Sequence, residues 1–218
     1  NLYNMNYDNQ LIKTGEINDV GYFTSTNIKS SYRRGLEIEA GYQLNSKFNL
    51  SGNLTISENK VDSFTQFIDN WDTWGQEMFL HENTDLAFSP NMIWAAQADY
   101  KLNSKTTILF NSKYVGEQFI DNTSNTERML DAYLISNLQI DYVFNSFLFK
   151  KAKFSFLINN LFDVEYVNNA WLYRYITNSF DPTESDIYTT LGSDGVYDMA
   201  GYFPQAKRNY LLGLTIDF

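Results

Sequence analysis

The chain has 218 residues with 17 Phe, 16 Tyr and 4 Trp, more aromatic surface than a disordered segment could leave in water. With 11 Gly, 3 Pro and no Cys it is neither collagen-like nor disulfide-stapled, and its formal net charge of -10 repels the phosphates of a nucleic-acid partner. No apolar run approaches the roughly 20 residues a spanning helix needs, so an all-β protein, soluble or membranous, remains.

Alternation of period two dominates from the first residues, Asn1 to Tyr7, which already read as the middle of a strand. No leader-like segment precedes them, so the chain is expected to be the C-terminal piece of something larger. From Leu36 to Leu44 every even position is apolar or aromatic, facing Glu37, Glu39, Gly41 and Gln43. The next run sets Phe48, Leu50, Leu54 and Ile56 against Asn49, Ser51, Asn53 and Thr55. Met92, Trp94, Ala96, Ala98 and Tyr100 then face away from Gln97 and Asp99, with Ile93 and Ala95 blurring the pattern. Further runs set Ile108, Phe110 and Tyr114 against Asn111 and Lys113, then Leu138, Ile140, Tyr142 and Phe144 against Asn137, Gln139 and Asp141. Phe154, Phe156 and Ile158 follow, and the chain closes on Tyr210, Leu212, Leu214, Ile216 and Phe218. Together these predict about eight strands of roughly ten residues or more, long against the usual five or six.

The connections alternate in length. Short turns fall at 45–47, 103–104 and around 145–151; long polar segments are expected at 15–29, 62–89, 119–128 and 167–203. Pro90 and Pro204 stand where a long loop is expected to re-enter a strand. Short turns on one side and long loops on the other describe a transmembrane antiparallel β-barrel. Aromatics gather at both strand ends: Tyr42, Phe48, Tyr100, Tyr142, Phe144, Phe147 and Phe154 near the turns, and Tyr22, Phe23, Tyr32, Tyr114, Phe119, Tyr166, Tyr202 and Phe203 near the loops. A soluble β-sandwich explains the period but neither the strand length nor the two girdles. The polar set facing the other way would then line a wet lumen, because Arg or Lys at mid-bilayer costs about 2–4 kcal/mol.

Three stretches carry a family resemblance. Asp8 to Leu11, Thr14 to Gly21 and Ser31 to Glu39 form a loop followed by a descending strand; Asn159 to Tyr166 reads NNLFDVEY; and the last strand ends with Gly213, Ile216 and Phe218 at a set spacing, departing only at Leu211, where a polar residue is usual. In this order they resemble the C-terminal third of the barrel of a TonB-dependent outer-membrane receptor. The resemblance implies an outer-membrane, multi-pass barrel of 22 strands, of which this chain supplies the last eight. It also implies a plug domain upstream, contact with the TonB complex through an N-terminal segment, recognition of Gly213, Ile216 and Phe218 by the barrel-assembly machinery, and active uptake of a ferric siderophore or similar bulky nutrient. A complete eight-stranded barrel or porin, acting as passive channel, adhesin or docking subunit, fits the strand count equally well. A surface lipoprotein is a further conceivable partner.

The most site-like loop segment runs from Phe67 to Glu77. Trp71 and Trp74, with Asp72 and Gln76, could stack on and hydrogen-bond an organic ligand; the plainer reading is a loop that packs its own aromatics. The same pair of readings applies to Trp171, Tyr173 and Arg174, Arg174 facing either an anionic ligand or the acidic stretch Asp181, Glu184 and Asp186. That stretch matches no calcium-loop spacing and reads as solvated surface. Arg33, Arg34, Arg128, Lys207 and Arg208 sit near outer strand ends, where they could clamp lipopolysaccharide phosphates or answer acidic neighbours. His81, the single His, offers too few nitrogens for a zinc or haem site and reads as a surface residue; no metal, cofactor or catalytic constellation is expected.

Overall fold

A computed structural model describes residues 1–18, 20, 22–146 and 149–217. Phe147 and Phe218, expected in a girdle and in the assembly signal, lie outside the described residues. The strands are β1 (Leu2–Ile17), β2 (Phe23–Asn45), β3 (Phe48–Asn70), β4 (Gly75–Asp85), β5 (Met92–Lys101), β6 (Thr106–Val115), β7 (Gln118–Phe119) and β8 (Met129–Leu130). They continue with β9 (Tyr133–Ser146), β10 (Phe149–Asn159), β11 (Val167–Ile176), β12 (Thr189–Leu191), β13 (Tyr197–Pro204) and β14 (Asn209–Asp217).

The main sheet is an antiparallel wall in the order β1-β2-β3-β5-β6-β9-β10-β14. β3 is long enough to serve two neighbours: its first half pairs with β5, from Phe48 opposite Tyr100 to Ile56 opposite Met92, and its second half with β4, from Lys60 opposite Asp85 to Asn70 opposite Gly75. β4 and β5 are therefore two halves of one descending span, bent at 86–91. The ladder runs through the bend by Leu86 N to Asn59 O (3.0 Å) and Ser57 N to Asn91 O (2.9 Å). Counted this way the wall has eight spans, as the periodicity predicts. Among the described residues β1 and β14 each have one wall neighbour and do not pair with each other, so these eight strands do not form a small barrel closed on itself.

The register aligns the two faces across neighbouring strands. Phe48, Tyr100, Ile108, Ile140, Phe156 and Leu212 stand side by side in one row. Ile38, Leu50, Ile56, Tyr142, Phe154, Leu212 and Leu214 are all exposed on that face, and among the described residues no second sheet covers them. On the other face Ser51, Gln97, Asn111 and Asn137 form a polar row, tied by Asn137 Nδ2 to Asn111 Oδ1 at 2.9 Å. Leu211, the departure in the last strand, lies on this polar face opposite Leu157.

Two expectations are corrected. The segment at 167–203 holds β11, β12 and β13, and those at 15–29 and 62–89 are not open loops either: β1 with β2, and β3 with β4, continue as hairpins well past the wall. Their strands escaped notice because the pleat reverses. Inward burial follows odd residues up to Tyr7, down to Ser31 and up to Val61, then even ones at Ile12 and Thr14, at Ile28, and at Phe64, Gln66 and Ile68. The switches flank Asn9 (φ 59°) on β1 and Asn83 (φ 53°) on β4, left-handed residues that interrupt the extended repeat. Pro204, expected at re-entry into the last strand, instead ends β13 opposite Val167.

Candidate functional site

Beyond the wall the same sheet continues through β3 into a branch in the order β12-β13-β11-β3-β4. β11 joins β3 in parallel through Tyr175 opposite Asp69 and Ile176 opposite Asn70. Two apolar cores hold it: Ile12, Ile28, Val61, Phe64 and Leu86 in one, Ile120, Leu130 and Ala170 with Val167 and Leu172 in the other. Gly15 (φ 86°) packs against the Phe67 carbonyl where a Cβ would collide, so the tip of β1 can lie across β3.

An ion-pair hub joins three connections. Arg128 donates from Nε to Asp121 Oδ2 (2.8 Å), from Nη1 to Asp198 Oδ2 (3.1 Å) and from Nη2 to Thr123 Oγ1 (2.8 Å). Arg174 donates from Nε to the other oxygen of Asp198 (2.6 Å), from Nη2 to Asp194 (2.5 Å) and from Nη1 to Gln66 (3.3 Å). Asp198 thus bridges two buried guanidiniums, an arrangement that is stable only with this many partners. Burial alone would lower the Arg128 pKa, but Asp121 and Asp198 more than reverse it and hold it above its ordinary value. Asp194 is held below the usual carboxylate range: its own burial opposes this, and Arg174 outweighs that. Gln66 carries the network to His81 Nε2 (2.9 Å), whose ring stacks on Phe64 at 5.2 Å. His81 is therefore partly buried rather than a free surface residue, and desolvation lowers its pKa.

The two aromatic candidate segments meet in space. Trp71 stacks on Tyr175 at 4.1 Å and donates from Nε1 to Tyr173 Oη (2.9 Å), which donates to Asp69 Oδ2 (2.7 Å). Burial and the Asp69 bond together push the Tyr173 pKa up. Asp72 accepts from Ser179 Oγ, Asn178 N (2.7 Å) and Thr177 Oγ1 (3.1 Å), which hold its pKa down to about 2. Gln76 Nε2 donates to Asp69 Oδ1 (2.6 Å). Trp71, Asp72 and Tyr173 thus clasp the β3–β4 turn to the segment 173–179, while Gln76 ties together the two strands of its own hairpin. Trp74, by contrast, projects from the hairpin tip with φ 58° and 92% of its surface exposed.

Beside the hub lies an open cleft of about 370 Å³ between β1, β3 and β11. Phe64, Phe67, Ile120 and Trp171 give it an apolar lining, and Arg33, Gln66 and Asn122 polar points. Its shape admits an organic molecule with apolar faces and a few hydrogen-bonding groups.

The basic residues divide. Arg128 is 3% exposed and fully engaged, and Arg33 lines the cleft, so neither stands at the outer rim as expected for a lipopolysaccharide clamp. Arg34 is exposed and paired with Glu58, Lys207 is exposed and paired with Glu165, and Arg208 is exposed. Arg174 meets Asp194 and Asp198 rather than the stretch at 181–186, where Asp181 caps its own turn through Thr183 N (2.9 Å). A Cβ at Gly213 would meet Ser155 at 3.7 Å, an ordinary contact, and Ile216 stands exposed on the apolar face. Among the described residues no group of three or more His, Cys, Asp or Glu is placed to hold a metal ion. The hub escaped sequence reading because Asp121, Asp194 and Asp198 lie far apart in the chain, in segments whose composition is that of any solvated loop.

Comparison with known proteins follows from this geometry. No curated protein sequence matches the chain. The ferric-catecholate import receptor Fiu of E. coli K12 shares 16% identity over 100% of this chain and 24% of its own, at a TM-score of 0.59. The siderophore receptor PiuA of Acinetobacter baumannii shares 14% over 98% of this chain and 25% of its own, at 0.64. The ferric enterobactin receptor PfeA of Pseudomonas aeruginosa, as a double mutant, shares 15% over 100% and 28%, at 0.56. At such identities these likenesses establish the fold, and the chain spans about a quarter of the length of each structure. Residues 1–161 match the family model described as TonB dependent receptor-like, beta-barrel, a family of receptors and transporters rather than enzymes. The chain belongs to the TonB-dependent receptor family, as part of its β-barrel.

Proposed function

We propose that this chain is the C-terminal wall of a larger outer-membrane receptor that imports a ferric siderophore or a similarly bulky nutrient, driven by the TonB complex. The observation that carries this reading is the open wall. Unpaired backbone groups on β1 and β14 would each cost several kcal/mol in hydrocarbon, so further strands must join both edges. In a barrel of 22 strands this wall supplies eight, and a plug from the same protein fills part of the lumen that the polar rows face. The named relatives, receptors for ferric catecholates, siderophores and enterobactin, support iron chelates as the cargo class. Trp171 and Arg33 in the cleft are the side chains best placed to meet such a ligand. Arg34, Lys207 and Arg208 are the remaining candidates for lipopolysaccharide, and Gly213, Ile216 and Phe218 for the assembly machinery. A surface lipoprotein is a partner that co-purification would reveal.

The test is uptake of labelled ferric siderophores by an iron-starved strain deleted for the full-length gene and complemented with it. Uptake that needs both this gene and TonB supports the reading. Uptake that persists without TonB, or diffusion of small solutes in its place, overturns it.

A further inference from the structure

We propose that the cleft between β1, β3 and β11 binds a small organic anion: a carboxylate carried on a compact apolar body. The inference deepens the reading of this cleft as the place that meets cargo and rests on it for solute access, not for TonB. Its walls come from one face of the hairpins. Ser31 Oγ donates to Gln10 Oε1, so Arg33, two residues further along β2, stands inward with Gln10, and Ile12 and Thr14 continue that face on β1. Phe64 and Gln66 of β3, Ile120 just after β7 and Leu172 of β11 complete the lining. A volume of about 370 Å³ holds about a dozen water-sized groups. That admits a ring with a short side chain, free or as one arm of a larger chelate.

The lining leaves one cation unanswered. Arg128 and Arg174 each reach aspartates, whereas the half-buried Arg33 has no hydrogen bond or ion pair among the described residues. Asp121 carries the one carboxylate of the lining, and its oxygens already accept from Arg128 Nε (2.8 Å) and Thr123 Oγ1 (2.7 Å). Lys13, between the inward Ile12 and Thr14, presents an exposed side chain on the opposite face. A guanidinium drawn partly out of water and left unpaired is unfavourable until an anion meets it. Two more polar groups of the lining lack partners. Gln66 Oε1 is fixed by Arg174 Nη1 (3.3 Å) and His81 Nε2 (2.9 Å), which leaves its Nε2 free to donate. Thr14 is 4% exposed, and its Oγ1 is one of two buried side-chain atoms without a hydrogen bond among the described residues. An acid with an apolar body supplies what these groups lack: carboxylate oxygens for Arg33 and Gln66, and hydrocarbon for Ile12, Phe64, Ile120 and Leu172.

The probe is cinnamate, titrated calorimetrically into the full-length protein in lipid nanodiscs with neither iron nor TonB present. Expected is saturable binding, with cinnamyl alcohol, which keeps the ring and loses the charge, at least about tenfold weaker, the scale of one charge-assisted hydrogen bond. Acetate, which lacks the ring, is expected not to bind. Arg33→Met should bring cinnamate down to the level of the alcohol and leave the alcohol unchanged, and Arg33→Lys should restore part of the difference. Lys105→Met, in the short turn between β5 and β6, should change nothing. Heat-modifiable migration confirms that each variant is folded. A ferrioxamine bearing a pendant carboxycinnamoyl group separates the two sources: binding tighter than free cinnamate assigns the site to an arm of an iron chelate, weaker binding to a free acid. No binding of cinnamate, equal binding of the alcohol, or undiminished binding by the Arg33→Met protein would each overturn the assignment. TonB-independent uptake overturns the receptor reading alone, and absent cinnamate binding beside intact TonB-dependent uptake overturns this one alone.

Discussion

Asp198 is one carboxylate hydrogen-bonded to two buried guanidiniums; Asp194, which also reaches both, binds Arg174 closely but stands 3.6 Å from Arg128. Asp198→Ala leaves Arg128 and Arg174 short of a partner in a desolvated place, a change that costs about 3–5 kcal/mol for a buried pair. Because the hub holds loops rather than the wall, the loss is local. Hydrogen exchange is expected to rise in 118–130 and 189–200 while the wall strands keep their protection; unchanged exchange there would mean that the apolar core around Ile120 and Leu130 fastens these loops alone. Asp72 acts at the other clasp. Its pKa is about 2 folded against an ordinary 3.8, so the unclasped form binds more protons between these values. The clasp is therefore at full strength above about pH 4 and weakens as pH falls toward 2. Exchange at Asn178 and Ser179 should accelerate over that window in the native protein, and Asp72→Asn should remove the pH dependence.

At the scale of the element, the deciding fact is that successive side chains of one strand face different solvents. Ile38 stands beside Leu54 on the apolar face, while Glu39 lies opposite Asn53 on the polar face. Ile38→Arg is expected to cost about 2–4 kcal/mol of barrel stability in a bilayer, and Glu39→Gln close to nothing. Urea unfolding from liposomes measures both; equal effects would remove the two-solvent assignment of β2. The same alternation shows where sequence reading stops. Within the wall it places β2, β3, β5, β6, β9, β10 and β14 closely, because lipid demands mostly apolar side chains on one face; Ser112 and Ser136, which lie on that face, bond each other. Past Asn9 and Asp62 both faces meet water or other loops, the pleat reverses, and β4 and the outer parts of β1, β2 and β3 read as polar connections.

At the scale of the whole molecule, two unpaired edges define what the chain can do by itself. β1 and β14 each present a row of free backbone groups at bilayer depth, and closed barrels exist because such rows are not tolerated there. Expressed without the rest of the receptor, the chain is expected to give no heat-modifiable band in the outer membrane, and to give one when the remaining strands are supplied. A stable folded species from the chain alone would mean that β1 and β14 find each other in lipid.

The sequence by itself determined the class, the number of spans, which side chain faces which solvent and the family resemblance, since these follow from a local period imposed by the bilayer. It also marked Trp71 and Tyr173 as residues of interest. Only the tertiary structure decided that those two rings clasp each other, that Arg128 and Arg174 share Asp198, and that His81 is partly buried. Each of these joins residues distant in the chain, and long-range pairing of charges and rings leaves no periodic trace from which it could be read.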